Sequence, residues 1–207
     1  MISCLSVTCR PHFQPWLLHQ FAKQTHDSKK LIVFDDSLSG QQWPGDVVVH
    51  RAKLGSLGEK RQYLLDRIEG PFAWFDDDDW SPVCRLDVGH AMLPHVDIVG
   101  CRDGLFTDVV LHKTRRIETL DPVVFNGAVF AADRRLFKFQ PLHRGEDTAW
   151  MQLAISDAVI CSTPELQHAW LCHDANVTGK RGSMSFEGPV FKRFDSFEME
   201  FLRKLTA

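Results

Sequence analysis

Four consecutive aspartates, Asp76-Asp77-Asp78-Asp79, close the apolar run 72–75. Ionised carboxylates packed side by side repel one another, and a bound divalent cation is the simplest source of the opposite charge that offsets this. Carboxylates suit hard ions, so Mn2+ or Mg2+ is expected, with coordination positions left for phosphate oxygens. The alternative is a solvated acidic turn. Phe72, Trp74 and Phe75 precede the cluster and Trp80 and Pro82 follow it, and a solvated turn rarely sits among so many aromatics. A second pair, Asp35-Asp36, closes the apolar run 31–34. Alone, Asp35-Asp36-Ser37 reads as a turn or helix cap. In open α/β sheets, however, ligands bind beyond the carboxyl ends of the strands, so the two acidic sites are expected to line one crevice. A third candidate is Gly145-Glu146-Asp147-Thr148. It reads as a helix start, where the dipole favours acidic residues. A carboxylate held there can also take the proton of an attacking hydroxyl.

These groups need strands that stop beneath them. Residues 2–8 read as a first strand. Phe13, Leu17 and Phe21 fall on one helical face, with Pro15 in the first turn. Residues 31–34 suit a buried parallel strand, and 46–50 a third strand. Ser56 and Glu59 form a capping-box pair before a helix that turns Leu64, Leu65 and Ile68 inward; Gly70 and Pro71 stop it, and 72–75 is the fourth strand. The order β-α-β-β-α-β predicts the nucleotide-binding half of an open sheet. Further on, 97–100 and 109–112 are expected as strands, 123–131 as a strand interrupted by Asn126-Gly127, and 148–156 as a helix with Trp150, Leu153 and Ala154 on one side. From Gly179 onward, Phe186, Phe191, Phe194 and Phe197 are expected to pack on the core.

The 207 residues, 44% hydrophobic and 25% charged, have ordinary globular usage and suit one domain. A net charge of -3 excludes the global basic field common in nucleic-acid binders. Lys180, Arg181, Lys192, Arg193, Arg203 and Lys204 gather in the last third, as a solvated face or a patch for a phosphate-bearing partner. No apolar run approaches the roughly 20 residues of a membrane span, and the first residues lack a leader's basic flank and cleavage site; a cytoplasmic location is expected. The six cysteines form no C-x-x-C pair and read as reduced.

In order along the chain stand Val7-Thr8-Cys9-Arg10-Pro11, Phe34-Asp35-Asp36-Ser37, Leu57-Gly58-Glu59-Lys60-Arg61-Gln62, Phe75-Asp76-Asp77-Asp78-Asp79-Trp80, Gly145-Glu146-Asp147 and the stretch 173–176. This ordered set, over about residues 1–178, resembles the family 2-type glycosyltransferases of the GT-A fold. The resemblance implies a single α/β GT-A domain, a Rossmann-like open mixed sheet flanked by helices. Residues 1–100 would form the nucleotide-sugar half, 101–178 the acceptor and catalytic half, and 179–207 a tail. It places Thr8 and Arg10 on the nucleotide, and Asp35 or Asp36 on the base, usually uracil. Lys60 and Arg61 fall near base or diphosphate. Asp76 and Asp78 match the D-x-D pair; Asp76 and Asp77 would serve the donor, and Asp78, Asp79 and His173 the metal. Asp147 matches the catalytic base, with Glu146 beside it. Asn126, Gly127 and Trp80 fall on the acceptor side. Gln62 stands where the family often has Asn, and Asp77 fills a slot that is often small.

The expected activity is inverting transfer of a sugar from a nucleotide-diphosphate donor, with UDP favoured, to an acceptor hydroxyl. The acceptor is a saccharide or glycoconjugate, and the basic tail also admits a modified base in DNA. Two alternatives stay open. One is a nucleotidyltransferase of similar fold, disfavoured because Thr8-Cys9-Arg10-Pro11 replaces a Gly-rich loop. The other is a non-catalytic relative that binds nucleotide-sugar or metal. His112, His143 and His168 read as surface or satisfied histidines.

Overall fold

A computed structural model of the chain describes residues 1–37, 39–109, 113–118, 124, 130–154, 158–173 and 193–206. The first half follows the expected order: β1 (Ile2–Thr8), α1 (Gln14–Ala22), β2 (Lys29–Asp35), β3 (Val48–His50), α2 (Leu57–Leu65) and β4 (Phe72–Trp74). Then come β5 (Asp79–Trp80), α3 (Arg85–Met92), β6 (Ile98–Gly100), β7 (Asp103–Asp108), β8 (Lys113–Glu118) and β9 (Phe130–Ala131). The chain continues with α4 (Glu146–Ala154), β10 (Ile160–Ser162), β11 (Ala169–Cys172) and α5 (Ser196–Thr206).

Seven strands form the larger sheet in the order β10-β6-β9-β4-β1-β2-β3. β9 runs antiparallel to both its neighbours, and the other pairs are parallel. β1 is buried along nearly its whole length because helices cover both faces of the sheet. Cys4, Leu31, Val33 and Ala73 pack with Leu17 of α1 and Leu86 of α3 on one face. Leu5, Ile32, Phe34 and Trp74 pack with Leu64 of α2 and Trp150 of α4 on the other. This alternation is the two-residue period of a strand, which assigns neighbouring apolar residues to opposite cores. The smaller sheet, β5-β11-β7-β8, joins α1 and α5 through Phe13, Trp16, Trp80, Leu105, Leu171, Phe194 and Leu202.

Local signals explain the helix starts. Ser56 Oγ accepts from Glu59 N at 3.2 Å, and the Glu59 carboxylate accepts from Ser56 N at 2.7 Å, the reciprocal box expected for α2. Pro15 sits in the first turn of α1. At the start of α5 the same reciprocity recurs between Asp195 and Glu198.

Several elements differ from expectation. The strand expected at 109–112 lies earlier, at Asp103–Asp108, and Val109 is in a turn; residues 110–112 lie outside the described set. The polar sequence DGLFTD hides β7, which buries Leu105 while pairing with β8 and β11. Of 123–131, Phe130–Ala131 is strand and 125–129, with Asn126 and Gly127, lies outside the described residues. The helix expected at 148–156 starts two residues earlier, at Glu146. Phe194 is buried as expected, whereas Phe197 is exposed; Phe186 and Phe191 lie outside the described residues. Among the described residues no helix is long and apolar enough to cross a membrane.

Candidate active site

Parallel pairing in full register, from Ile2 opposite Lys29 to Thr8 opposite Asp35, makes β1 and β2 end together. Asp36 N then donates to Thr8 O at 2.7 Å, and Phe75 N to Leu5 O at 2.8 Å. The ends of β1, β2 and β4 therefore stop at one edge, and the loops beyond them carry Arg10, Asp36 and Asp76–Asp78. A cleft of about 490 Å3 opens there. Thr8, Arg10, Asp36, Lys60, Arg61, Asp76, Asp77, Asp78, Glu146 and Asp147 all line it. Cys9 and Leu57, which stand in the quoted segments without an assigned role, line the cleft too, as do Arg144, Trp170 and His143, the last of which reads from sequence as a surface or satisfied histidine. The signal for His143 and Arg144 was their position just before Gly145-Glu146-Asp147.

The aspartates of the cluster have different sets of partners, with Arg10 shared by Asp77 and Asp78. Asp76 accepts from Arg61 Nη2 at 3.0 Å. Asp77 is buried; it accepts from Thr8 Oγ1 at 2.5 Å and from Arg10 Nε at 3.2 Å, and its second oxygen pairs with Arg10 Nη2. Asp78 Oδ2 accepts from Arg10 Nη1 at 2.7 Å and lies 3.1 Å from His173 Nε2. Asp79 Oδ2 lies 4.0 Å from His168 Nε2 inside the core. Burial opposes the Arg10 charge, but the Asp78 and Asp77 carboxylates outweigh it and hold the guanidinium above its ordinary pKa. Burial pushes the Asp77 carboxyl up, against the pull of Arg10.

Along the same cleft, Gly145 adopts φ +73°, a left-handed conformation that suits glycine, and delivers Glu146 and Asp147 to the first turn of α4. Glu146 is buried 3.4 Å from Arg61 Nη1; burial raises its pKa, with Arg61 opposing. Asp147 is half-buried and lines the cleft, and its Oδ1 accepts from Thr148 N at 2.7 Å. Lys60 pairs with Asp36.

Asp35 is placed differently. Its carboxylate is buried and accepts from Ser37 N at 2.9 Å, Trp43 Nε1 at 3.1 Å and Arg51 Nη2 at 2.6 Å. It lines a neighbouring groove with Ser37, Arg51 and Leu54, and Asp36 borders both spaces. Two expectations find no support in the geometry. Trp80 does not line the cleft; it is buried against Phe194, with ring centroids 5.8 Å apart, because β5 pairs with β11 and turns the indole into the core. Asp79, on the same short strand, is likewise drawn to His168 rather than to the cleft.

The donor set suits a divalent cation. Six carboxylates line the cleft (Asp36, Asp76, Asp77, Asp78, Glu146, Asp147) against four fixed cations (Arg10, Lys60, Arg61, Arg144). The excess equals one divalent charge. Asp78 Oδ2 and His173 Nε2 supply a converging oxygen and nitrogen. Among the described residues, three converging ligand atoms occur elsewhere, at His19, Asp195 and Glu198. That group is already occupied by Gln20 and the Lys23 ammonium, both of which donate to Glu198 as α5 docks on α1.

No family model matches the chain, and no curated protein sequence is detectably similar. Solved structures are similar in shape. The 1–349 portion of S. aureus TarS superposes with a TM-score of 0.64 at 17% identity, over 82% of this chain and 60% of that one. The same portion in complex with UDP-GlcNAc gives 0.61 at 14%, over 87% and 61%. The mannosyltransferase PcManGT from Pyrobaculum calidifontis, in complex with GDP-Man and Mn2+, gives 0.60 at 13%, over 81% and 56%. The chain thus spans about 60% of the length of these neighbours. The likeness is one of fold, and the chain has the GT-A architecture of these glycosyltransferases, a seven-stranded mixed sheet flanked by helices.

Proposed function

We propose that the protein transfers a sugar from a nucleotide-diphosphate donor to an acceptor hydroxyl with inversion at the anomeric carbon. One observation carries this reading: Asp147 lines the same cleft as Asp76–Asp78, together with Lys60, Arg61 and Arg144. In this reading the base and ribose occupy the groove beside Asp35 and Asp36, and the diphosphate lies among the basic side chains. Asp78 with His173 would hold Mn2+ or Mg2+, which when bound supplies positive charge to the leaving diphosphate. Thr8 orients Asp77, and Arg61 orients Asp76 and Glu146. Asp147 accepts the proton of the acceptor hydroxyl as its oxygen bonds to the anomeric carbon and the bond to the diphosphate oxygen breaks. Attack from the face opposite the leaving group inverts that carbon. The acceptor is a saccharide, a glycoconjugate or a hydroxylated base in DNA.

Calorimetric titration with UDP- and GDP-linked sugars, each with and without Mn2+, tests the reading. Micromolar binding of at least one donor is expected, and absence of binding by every donor in both conditions contradicts it.

A further inference from the structure

We propose that Arg10 is the resident counter-cation of Asp78 in the donor-free protein and yields that carboxylate to the divalent ion only when a nucleoside diphosphate binds. This rests on the nucleotide-sugar reading for its ligand, but its central observation is the arrangement of one guanidinium. Arg10 Nε and Nη2 grip Asp77, and Nη1 reaches Asp78 Oδ2 at 2.7 Å. Asp77 has both oxygens engaged, by Arg10 and by Thr8. It is thereby an anchor for Arg10 rather than a metal ligand. The Phe13 ring lies 5.0 Å from the guanidinium carbon, and Arg10 N donates to Thr8 Oγ1 at 3.2 Å, so the side chain is held at root and tip.

The oxygen that Nη1 occupies is the one that faces His173 Nε2 at 3.1 Å. A divalent cation shared by Asp78 and His173 would therefore meet the Arg10 charge on the same carboxylate oxygen. Guanidinium and metal repel at such separations, and a low-dielectric site strengthens the repulsion. A diphosphate entering the cleft changes the balance. It offers Nη1 an anionic partner in place of Asp78, while Nε and Nη2 keep Asp77. The metal then gains Asp78 and phosphate oxygens together. Metal and donor bind cooperatively by this exchange, and neither binds tightly alone.

The test measures free Mn2+ by its paramagnetic resonance signal against wild type, Arg10→Gln and Arg10→Lys, alone and with saturating UDP or GDP. For wild type, nucleotide should tighten Mn2+ binding about tenfold or more. Arg10→Gln should bind Mn2+ alone about tenfold tighter than wild type and lose most of the nucleotide enhancement. Arg10→Lys, which keeps the charge, should stay near wild type without nucleotide. Equal or weaker Mn2+ binding by Arg10→Gln overturns the proposal, as does a loss of Mn2+ binding by both variants with lowered melting temperatures, which marks Arg10 as a structural prop. The Mn2+-alone arm does not depend on a nucleotide. Failure of UDP and GDP to bind wild type in both EDTA and Mn2+ counts against the transferase reading, whereas nucleotide binding with no gain in Arg10→Gln sinks this inference alone.

Discussion

Arg61 donates from Nη2 to Asp76 at 3.0 Å while its Nη1 lies 3.4 Å from Glu146, so one guanidinium ties the end of β4 to the start of α4. The side chain is buried, and its guanidinium carbon lies 5.2 Å from the Trp74 ring. Removing one member of a buried pair strands the other charge. Arg61→Met should therefore lower stability by about 3 kcal/mol in urea denaturation and weaken donor binding. Adding Glu146→Gln should recover much of the stability but not the donor affinity. An unchanged urea midpoint in Arg61→Met would show that the pair is not a brace.

In the proposed mechanism Asp147 takes the acceptor proton. Asp147→Asn should lower turnover by about 10²–10⁴-fold, with donor binding by calorimetry unchanged. Parallel loss of donor affinity would assign Asp147 to the donor instead. Products of the wild-type reaction, read by NMR of the anomeric proton, should carry the configuration opposite to the donor.

Sequence patterns that act locally were legible, and those that depend on distant partners were not. β1, β2 and β4 show as apolar runs because both their faces are covered, and α2 shows through Ser56 and Glu59. The Asp76–Asp79 cluster was visible, but the direction of each carboxylate was not. Thr8 lies 69 positions from Asp77 and His173 lies 95 from Asp78, and these contacts exist only after the sheets close. Trp80 could have faced a sugar or the core; the pairing of β5 with β11 decides it. α5 was missed although Phe201, Leu202 and Leu205 mark one face, because its docking rests on Glu198 meeting Gln20 and Lys23 of a helix at the other end of the chain.

Gly58 brings α2 against residues 140–146, which lead into the first turn of α4. Its N–H donates to Leu142 O at 3.0 Å, and a Cβ there would lie 1.8 Å from the Gln140 carbonyl oxygen and 3.3 Å from Glu146 Cβ. Backbone cannot swing aside as a side-chain tip can, so Gly58→Ala must part α2 from residues 140–146. A cost of about 1–3 kcal/mol is expected, seen as a lower melting temperature. Turnover should fall as well, since Lys60 and Arg61 move relative to Glu146 and Asp147. A wild-type melting temperature in this variant would mean that the approach is looser than described.

Asp35 supplies a pH signature. Burial pushes its pKa up, but the hydrogen bonds from Ser37, Trp43 and Arg51 outweigh burial and hold the carboxyl below its usual value. A depressed folded-state pKa contributes stability that is complete above the unfolded value, about 4, and is lost as pH falls through the folded value. Asp35→Asn removes the titrating charge and keeps the shape. At neutral pH it should be less stable than wild type by about 1–2 kcal/mol, the scale of hydrogen bonds to a charged group. Below about pH 4 the difference should shrink toward zero, because protonated wild type has lost the same interaction. Urea midpoints of both proteins across this range give the comparison. A gap that stays constant down to strongly acid pH would show that Asp35 is not ionised against Arg51, and a gap that widens on acidification would reverse the sign of its shift.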